Sequence, residues 1–137
     1  VNILEKKQCT VIDDTYNASP ASTIAALKLL KGLQGRRVAI LGDMLELGQY
    51  EEKGHHSVGA FAADAVDVLI LVGKRTKTTA KAALDNGFLK ENLHWYPDSG
   101  EAAEAAADMI QKGDVVLIKG SNSMRMDKII TNLEKTA

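Results

Sequence analysis

Val66-Asp67-Val68-Leu69-Ile70-Leu71-Val72 is the longest apolar stretch of this 137-residue sequence, and only Asp67 interrupts it. Seven residues are far too few to span a bilayer, which takes about 20 in a helix. A continuous apolar run, as opposed to an alternating one, marks a strand buried on both faces. Runs of the same kind stand at Cys9–Asp13, Arg37–Leu41, Leu93–Tyr96 and Asp114–Lys119. Between them the period becomes helical. Ile24, Leu27, Leu30 and Leu33 form one stripe, and Val58, Phe61, Ala62 and Ala65 form another. Ala80, Ala83 and Leu84 repeat it weakly, then Ala102, Ala105, Ala106 and Met109, then Met126, Ile129, Ile130 and Leu133.

Five β-then-α units in a row predict an α/β fold whose mostly parallel sheet carries helices on both faces. Right-handed crossovers make this a doubly wound, Rossmann-like sheet of five strands, or six if Asn2–Lys7 adds a short edge strand. No repeat, low-complexity tract or linker divides the sequence, so residues 1–137 read as one domain. The helices are rich in alanine, which has the best helix propensity and lets a helix lie close to the sheet. Only Trp95, Phe61, Phe88 and the tyrosines supply bulk, so a thin aliphatic core is expected.

Apolar residues make up 45% and charged residues 26%, the balance of a globular domain. A formal net charge of −1 without any Lys/Arg run gives no reason to invoke nucleic acid or an anionic membrane as partner. The single cysteine, Cys9, excludes an internal disulfide and suits a reducing cytoplasm. Val1-Asn2-Ile3-Leu4-Glu5 resembles neither a signal peptide nor an initiator start, which points to a piece of a longer protein.

Ligands of an open parallel sheet bind beyond the carboxyl ends of its strands. Those ends read Asp13-Asp14-Thr15-Tyr16-Asn17, Gly42-Asp43-Met44, Gly73-Lys74-Arg75, Pro97-Asp98-Ser99 and Lys119-Gly120-Ser121-Asn122. In the first, either aspartate could accept hydrogen bonds from a ribose diol; alternatively Asp14 or Ser19 caps the following helix, with Pro20 near its start. Gly42-Asp43-Met44-Leu45-Glu46-Leu47-Gly48 is either a ligand-approach loop or an ordinary βα turn. Lys119-Gly120-Ser121-Asn122-Ser123 is expected to run straight into the last helix. Its free amides, with Lys119 and Arg125 nearby, would suit an anion, although Ser121 or Asn122 as a plain cap is equally compatible. His55-His56 opens a helix without the i, i+4 spacing of a metal pair and reads as a surface cap, and His94 reads as structural. Neither G-x-x-x-x-G-K-[ST] nor G-x-G-x-x-G occurs, so the chain has no phosphate loop of its own.

These segments resemble a known family. Asp13 through Pro20 is similar to the D-[DS]-[ST]-Y-N-A-N-P signature of the Mur ligases, in the branch that adds D-alanyl-D-alanine. Ile40 through Gly48 resembles its L-G-D-M-x-E-L-G, and His55 through Gly59 its H-x-x-V-G. Val116 through Met126 resembles its closing V-L-x-K-G-S-R-S-M-x-M. Ser19 replaces a common asparagine, and Asn122 replaces a common arginine, which lowers the positive charge of that loop. The resemblance covers essentially the whole chain.

It implies the C-terminal, Rossmann-like domain of a three-domain, ATP-dependent peptide ligase of peptidoglycan precursor synthesis in the cytoplasm. The other two domains would grip the UDP-N-acetylmuramoyl-tripeptide and hold most of the ATP and Mg2+. By the family pattern Asp14 faces the ATP ribose, with Tyr16, Asn17 and Pro20 beside the ribose and adenine. Asp43, Met44, Lys119, Gly120, Ser121 and Asn122 become candidates for contacting D-alanyl-D-alanine. No catalytic residue and no metal ligand is expected in this domain alone, and the isolated domain should be inactive. Two rival classes fit less well. A phosphoryl-receiver domain needs an aspartate after the third strand, where Val72-Gly73-Lys74 stands, and a stand-alone mononucleotide module needs a phosphate loop.

Overall fold

The expected units appear in order in a computed structural model that describes residues 2–6, 8–15 and 18–136. The strands are β1 (Asn2–Lys6), β2 (Cys9–Asp14), β3 (Arg37–Gly42), β4 (Val68–Val72), β5 (Leu93–Tyr96) and β6 (Val115–Lys119). The helices are α1 (Pro20–Lys31), α2 (Glu51–Ala65), α3 (Thr76–Asp85), α4 (Ser99–Met109) and α5 (Asp127–Thr136). They form one six-stranded sheet in the order β1-β2-β6-β3-β4-β5. Only the edge strand β1 is antiparallel, against β2; the other pairings are parallel.

Strand residues alternate between two apolar layers, as the pleat requires. Val11, Val38, Ile40, Ile70, Val116 and Ile118 meet α4 and α5 through Ala102, Ala106, Ile129 and Leu133. Ile12, Ala39, Leu41, Leu69, Leu71 and Leu117 face the layer of α1, α2 and α3 through Leu27, Leu30, Val58, Ala62 and Ala83. Among the described residues no aromatic side chain is one of the largest fully buried ones, so the core there is aliphatic as expected.

Three expectations shift. The run from Val66 becomes strand only at Val68, because the Val66 amide closes α2 on Ala62 O and Asp67 trades backbone and side-chain hydrogen bonds with Arg37. Helix α3 buries Thr76, Thr79, Ala82 and Ala83, whereas Leu84 is exposed. Finally, Lys119 does not lead straight into a helix. A short 3₁₀ turn (Asn122–Met124) intervenes, Arg125 turns left-handed, and α5 starts at Asp127.

Strand β6 lies between β2 and β3, yet its helix packs on the opposite face from theirs. The loops leaving these three strands therefore diverge, and the crevice they leave is the topological switch point where such sheets bind ligands.

Candidate functional site

At that crevice the parallel register sets Asp14 opposite Lys119 at the last paired position of β2 and β6. Lys119 Nζ donates to Asp14 Oδ2 at 2.6 Å; the lysine side chain is 2% exposed and the carboxylate 18%. Asp13 is spent locally, its Oδ1 accepting from the Thr15 amide at 3.2 Å and the Thr15 hydroxyl at 2.9 Å. The cap of α1 belongs to Ser19, which accepts from the Ser22 amide at 3.1 Å while the Ser22 hydroxyl answers the Ser19 amide. Asp14 is thus not the helix cap. Pro20 occupies the first turn, with its ring against Gly54 of α2. Tyr16 and Asn17 lie outside the described residues.

The loop after β3 turns its polar groups inward. Asp43 is 3% exposed; its Oδ1 accepts the Thr76 amide at 3.1 Å, within the first turn of α3, and its Oδ2 faces Arg75 at 3.4 Å. Arg75 is held more tightly by Glu51 at 2.7 Å, and that hydrogen bond is the main reason its guanidinium pKa is raised. Gly73 makes the arrangement possible. Its φ is +102°, and a Cβ there would lie 2.5 Å from the Asp43 carboxylate. Of the two readings of the Gly42–Gly48 loop, ligand approach or ordinary βα turn, Gly42 fits the second, since it packs against Gly120 and Met126.

Met44 is buried as well, and its amide donates to His55 Nε2 at 3.1 Å. With Nε2 accepting, His55 Nδ1 carries the proton and donates to Glu51 O at 2.7 Å. The surface-cap reading of His55 fails: it sits one turn inside α2, 1% exposed, and fastens the β3 loop. His56 beside it is exposed, as expected.

Ser121 ties the β6 loop to the β3 loop. Its amide donates to Asp43 O at 3.1 Å, and its hydroxyl accepts the Leu45 amide at 2.8 Å. It therefore caps no helix with its side chain. Leu45, Glu46, Ser121, Asn122 and Ser123 line a surface cleft between the two loops. Glu46 and Arg125, one in each loop, hold left-handed backbone at φ 63° and 53°. Non-glycine residues in that region cluster at ligand clamps. The expected anion site at the start of α5 is not formed as read. A three-residue 3₁₀ turn has little dipole, and Arg125 turns to Asp127 at 3.0 Å, depressing that carboxyl's pKa.

The rim thus gathers Asp14, Asp43, Lys119, Gly120 and Ser121, with Asn122 exposed at its edge. Sequence reading missed His55, Glu51 and Arg75 as its supports. Among the described residues, no group of three His, Cys, Asp or Glu side chains is placed to hold a metal ion, and no helix is long and apolar enough to cross a membrane.

The sequence model of the Mur ligase family's glutamate ligase domain matches residues 1–122. The chain belongs to the Mur ligase family. A UDP-N-acetylmuramoyl-tripeptide–D-alanyl-D-alanine ligase of Bacillus subtilis is 36% identical over 127 residues, covering 90% of this chain and 28% of that protein. The Escherichia coli ligase of the same name is 31% identical over 128 residues, covering 91% and 27%. Among solved structures, MurF from Acinetobacter baumannii superposes with a TM-score of 0.85 at 29% identity, over 98% of this chain and 30% of that one. MurF from Thermotoga maritima, in complex with ADP, gives 0.81 at 27% identity, over 98% and 30%. This Mur ligase chain therefore spans just over a quarter of the length of its curated relatives.

Proposed function

We propose that this chain is the acceptor-side domain of a cytoplasmic, ATP-dependent ligase that joins D-alanyl-D-alanine to UDP-N-acetylmuramoyl-tripeptide. The observation that carries the reading is the convergence of three family-like loops on one rim, with Asp14 at its mouth and the Ser121–Leu45 cleft beside it. The relatives named for this reaction support it.

In this reading the γ-phosphoryl of ATP passes to the tripeptide carboxylate, giving an acyl phosphate and ADP. The free amine of D-alanyl-D-alanine then attacks the acyl carbon, phosphate leaves, and the amine's proton is lost to a base. Magnesium, when bound by the central domain, would neutralise charge on the phosphates. This chain contributes no phosphate loop; its part is to bind, orient and exclude water. Asp14 accepts a hydrogen bond from the ribose as the domain closes, and the cleft of Leu45, Glu46, Ser121, Asn122 and Ser123 seats the dipeptide. Closure shields the acyl phosphate from water and aligns the amine, a gating and proximity role. Asp43 and Met44 act behind this surface, as the struts that set the β3 loop.

The test is Asp14→Asn in the full-length protein. Losing a charge-assisted ribose contact should lower kcat/KM for ATP by roughly 10- to 150-fold, or about 1.5–3 kcal/mol. The loss should shrink with 2′-deoxy-ATP, where one partner is already gone. Equal losses with both nucleotides would remove Asp14 from the ribose.

A further inference from the structure

Lys119 is, by the family resemblance, a candidate for the acceptor's carboxylate, as a cation beside the free amides expected to open the last helix. Its geometry points elsewhere. It is the last residue of the central strand β6, flanked by β2 and β3 on either side, and it pairs with Asp14 and Leu41 in register. Its side chain is 2% exposed, and its ammonium lies 2.6 Å from Asp14 Oδ2. A lysine so buried cannot extend into the Leu45–Ser123 cleft without abandoning that carboxylate. Leaving it would strand two charges in a crevice that solvent barely reaches, which is strongly unfavourable.

We propose that Lys119 is a positioning residue for the nucleotide, acting through Asp14 and not on the acceptor. A carboxylate at a strand end can take several rotamers, and a ribose diol reads only one direction of its lone pairs. The ammonium grips Oδ2 from beneath the rim and so fixes the plane of the carboxylate. The 18% of the Asp14 side chain that stays exposed is then presented to the crevice in one orientation. The inference rests on the ribose role given to Asp14 above and adds the group that sets its aim. It also moves the acceptor's recognition wholly to the neighbouring cleft, where Ser121 and Asn122 lie.

The experiment is a double-mutant cycle in the full-length protein with Asp14→Asn, Lys119→Met and both changes together. Each is assayed with ATP, with 2′-deoxy-ATP and across a range of D-alanyl-D-alanine concentrations. Lys119→Met should lower kcat/KM for ATP by about tenfold, the scale of one charge-assisted hydrogen bond. It should also flatten the preference for ATP over 2′-deoxy-ATP, a readout that simple loss of stability would not move. The KM for D-alanyl-D-alanine should stay within about twofold of its original value. In the Asp14→Asn background the further change at Lys119 should do almost nothing.

If Lys119→Met alone folds poorly because it strands Asp14, the comparison of Asp14→Asn with the double variant still decides, since asparagine keeps an oxygen for the ammonium to donate to and the double variant holds neither charge. A dipeptide KM that rises with Lys119→Met in both backgrounds would overturn the proposal and return Lys119 to the acceptor. Unchanged nucleotide preference in the single variant would overturn it too. Failure of the unaltered protein to ligate D-alanyl-D-alanine at all would instead overturn the functional reading on which the proposal stands.

Discussion

His55 offers a direct way to break one strut and watch the loop respond. The imidazole is 1% exposed and holds two backbone groups at once, accepting from the Met44 amide at 3.1 Å and donating to Glu51 O at 2.7 Å. Leucine at this position keeps apolar volume but satisfies neither group. The Met44 amide then has no acceptor in a buried place, which costs about 1–3 kcal/mol, and the lost bond to Glu51 adds about 1 kcal/mol. His55→Leu should therefore destabilise the 137-residue chain by about 2–4 kcal/mol. For a domain of this size that corresponds to a Tm lower by roughly 7–14 °C. His55→Gln is the informative partner, because its amide oxygen can still reach the Met44 amide and should recover about half of the loss. The assay is thermal unfolding followed by circular dichroism, with hydrogen exchange at the Met44 and Leu45 amides as the local probe. Exchange there should rise more in the leucine variant than in the glutamine one. A Tm within 2 °C of the unaltered chain, or exchange unchanged in the loop, would refute the strut.

Ser121→Ala removes the acceptor of the Leu45 amide and should raise the KM for D-alanyl-D-alanine by roughly 3- to 15-fold while leaving that for ATP unmoved, measured by phosphate release. Asp43→Ala removes one of the Thr76 amide's two acceptors, leaving Gly73 O at 3.2 Å, and takes from Arg75 its second carboxylate, so chemical denaturation should show a loss of about 1–2 kcal/mol. Gly73→Ala should destabilise by a comparable amount, since it combines φ of +102° with a Cβ 2.5 Å from that carboxylate. Arg125 holds the Asp127 carboxyl below its ordinary pKa, so the pair's stabilisation is present above the unfolded value near ~3.9 and is lost as pH falls through the lower folded value. Arg125→Gln should thus reduce stability only slightly above about pH 4, the pair being more than half exposed, and the difference should vanish in stronger acid.

The sheet was legible because its central strands are buried on both faces, which calls for continuous apolar runs such as Val68–Val72 alternating with helical stripes. The inward face of α3 was not legible. Threonine and alanine differ little in hydrophobicity, and the face is chosen by the neighbouring helix. A Cβ at Gly59 of α2 would lie 2.2 Å from Thr79 O, so α3 turns Thr79 and Ala82 toward that contact. The break after Lys119 escaped for a similar reason, since Gly120-Ser121-Asn122 reads equally as a helix cap or a 3₁₀ turn. The left-handed Arg125 that separates the two has no composition signal. At the site, the strand end marked Asp13 and Asp14 together, and only the family resemblance chose Asp14 between them. The inward turn of Asp43, Met44 and Lys119 depends on partners 11 to 105 residues away, which no local pattern announces. The one local signal for His55 is its place a single turn into α2, close behind a β3 loop whose amides need acceptors.

The most direct test is acceptor-dependent phosphate release by the full-length protein supplied with ATP, Mg2+ and UDP-N-acetylmuramoyl-tripeptide. Release is expected with D-alanyl-D-alanine, accompanied by a product heavier by that dipeptide less water, and none with free glutamate or diaminopimelate in its place. Release driven by either single amino acid, with no incorporation of the dipeptide, would contradict the proposed function.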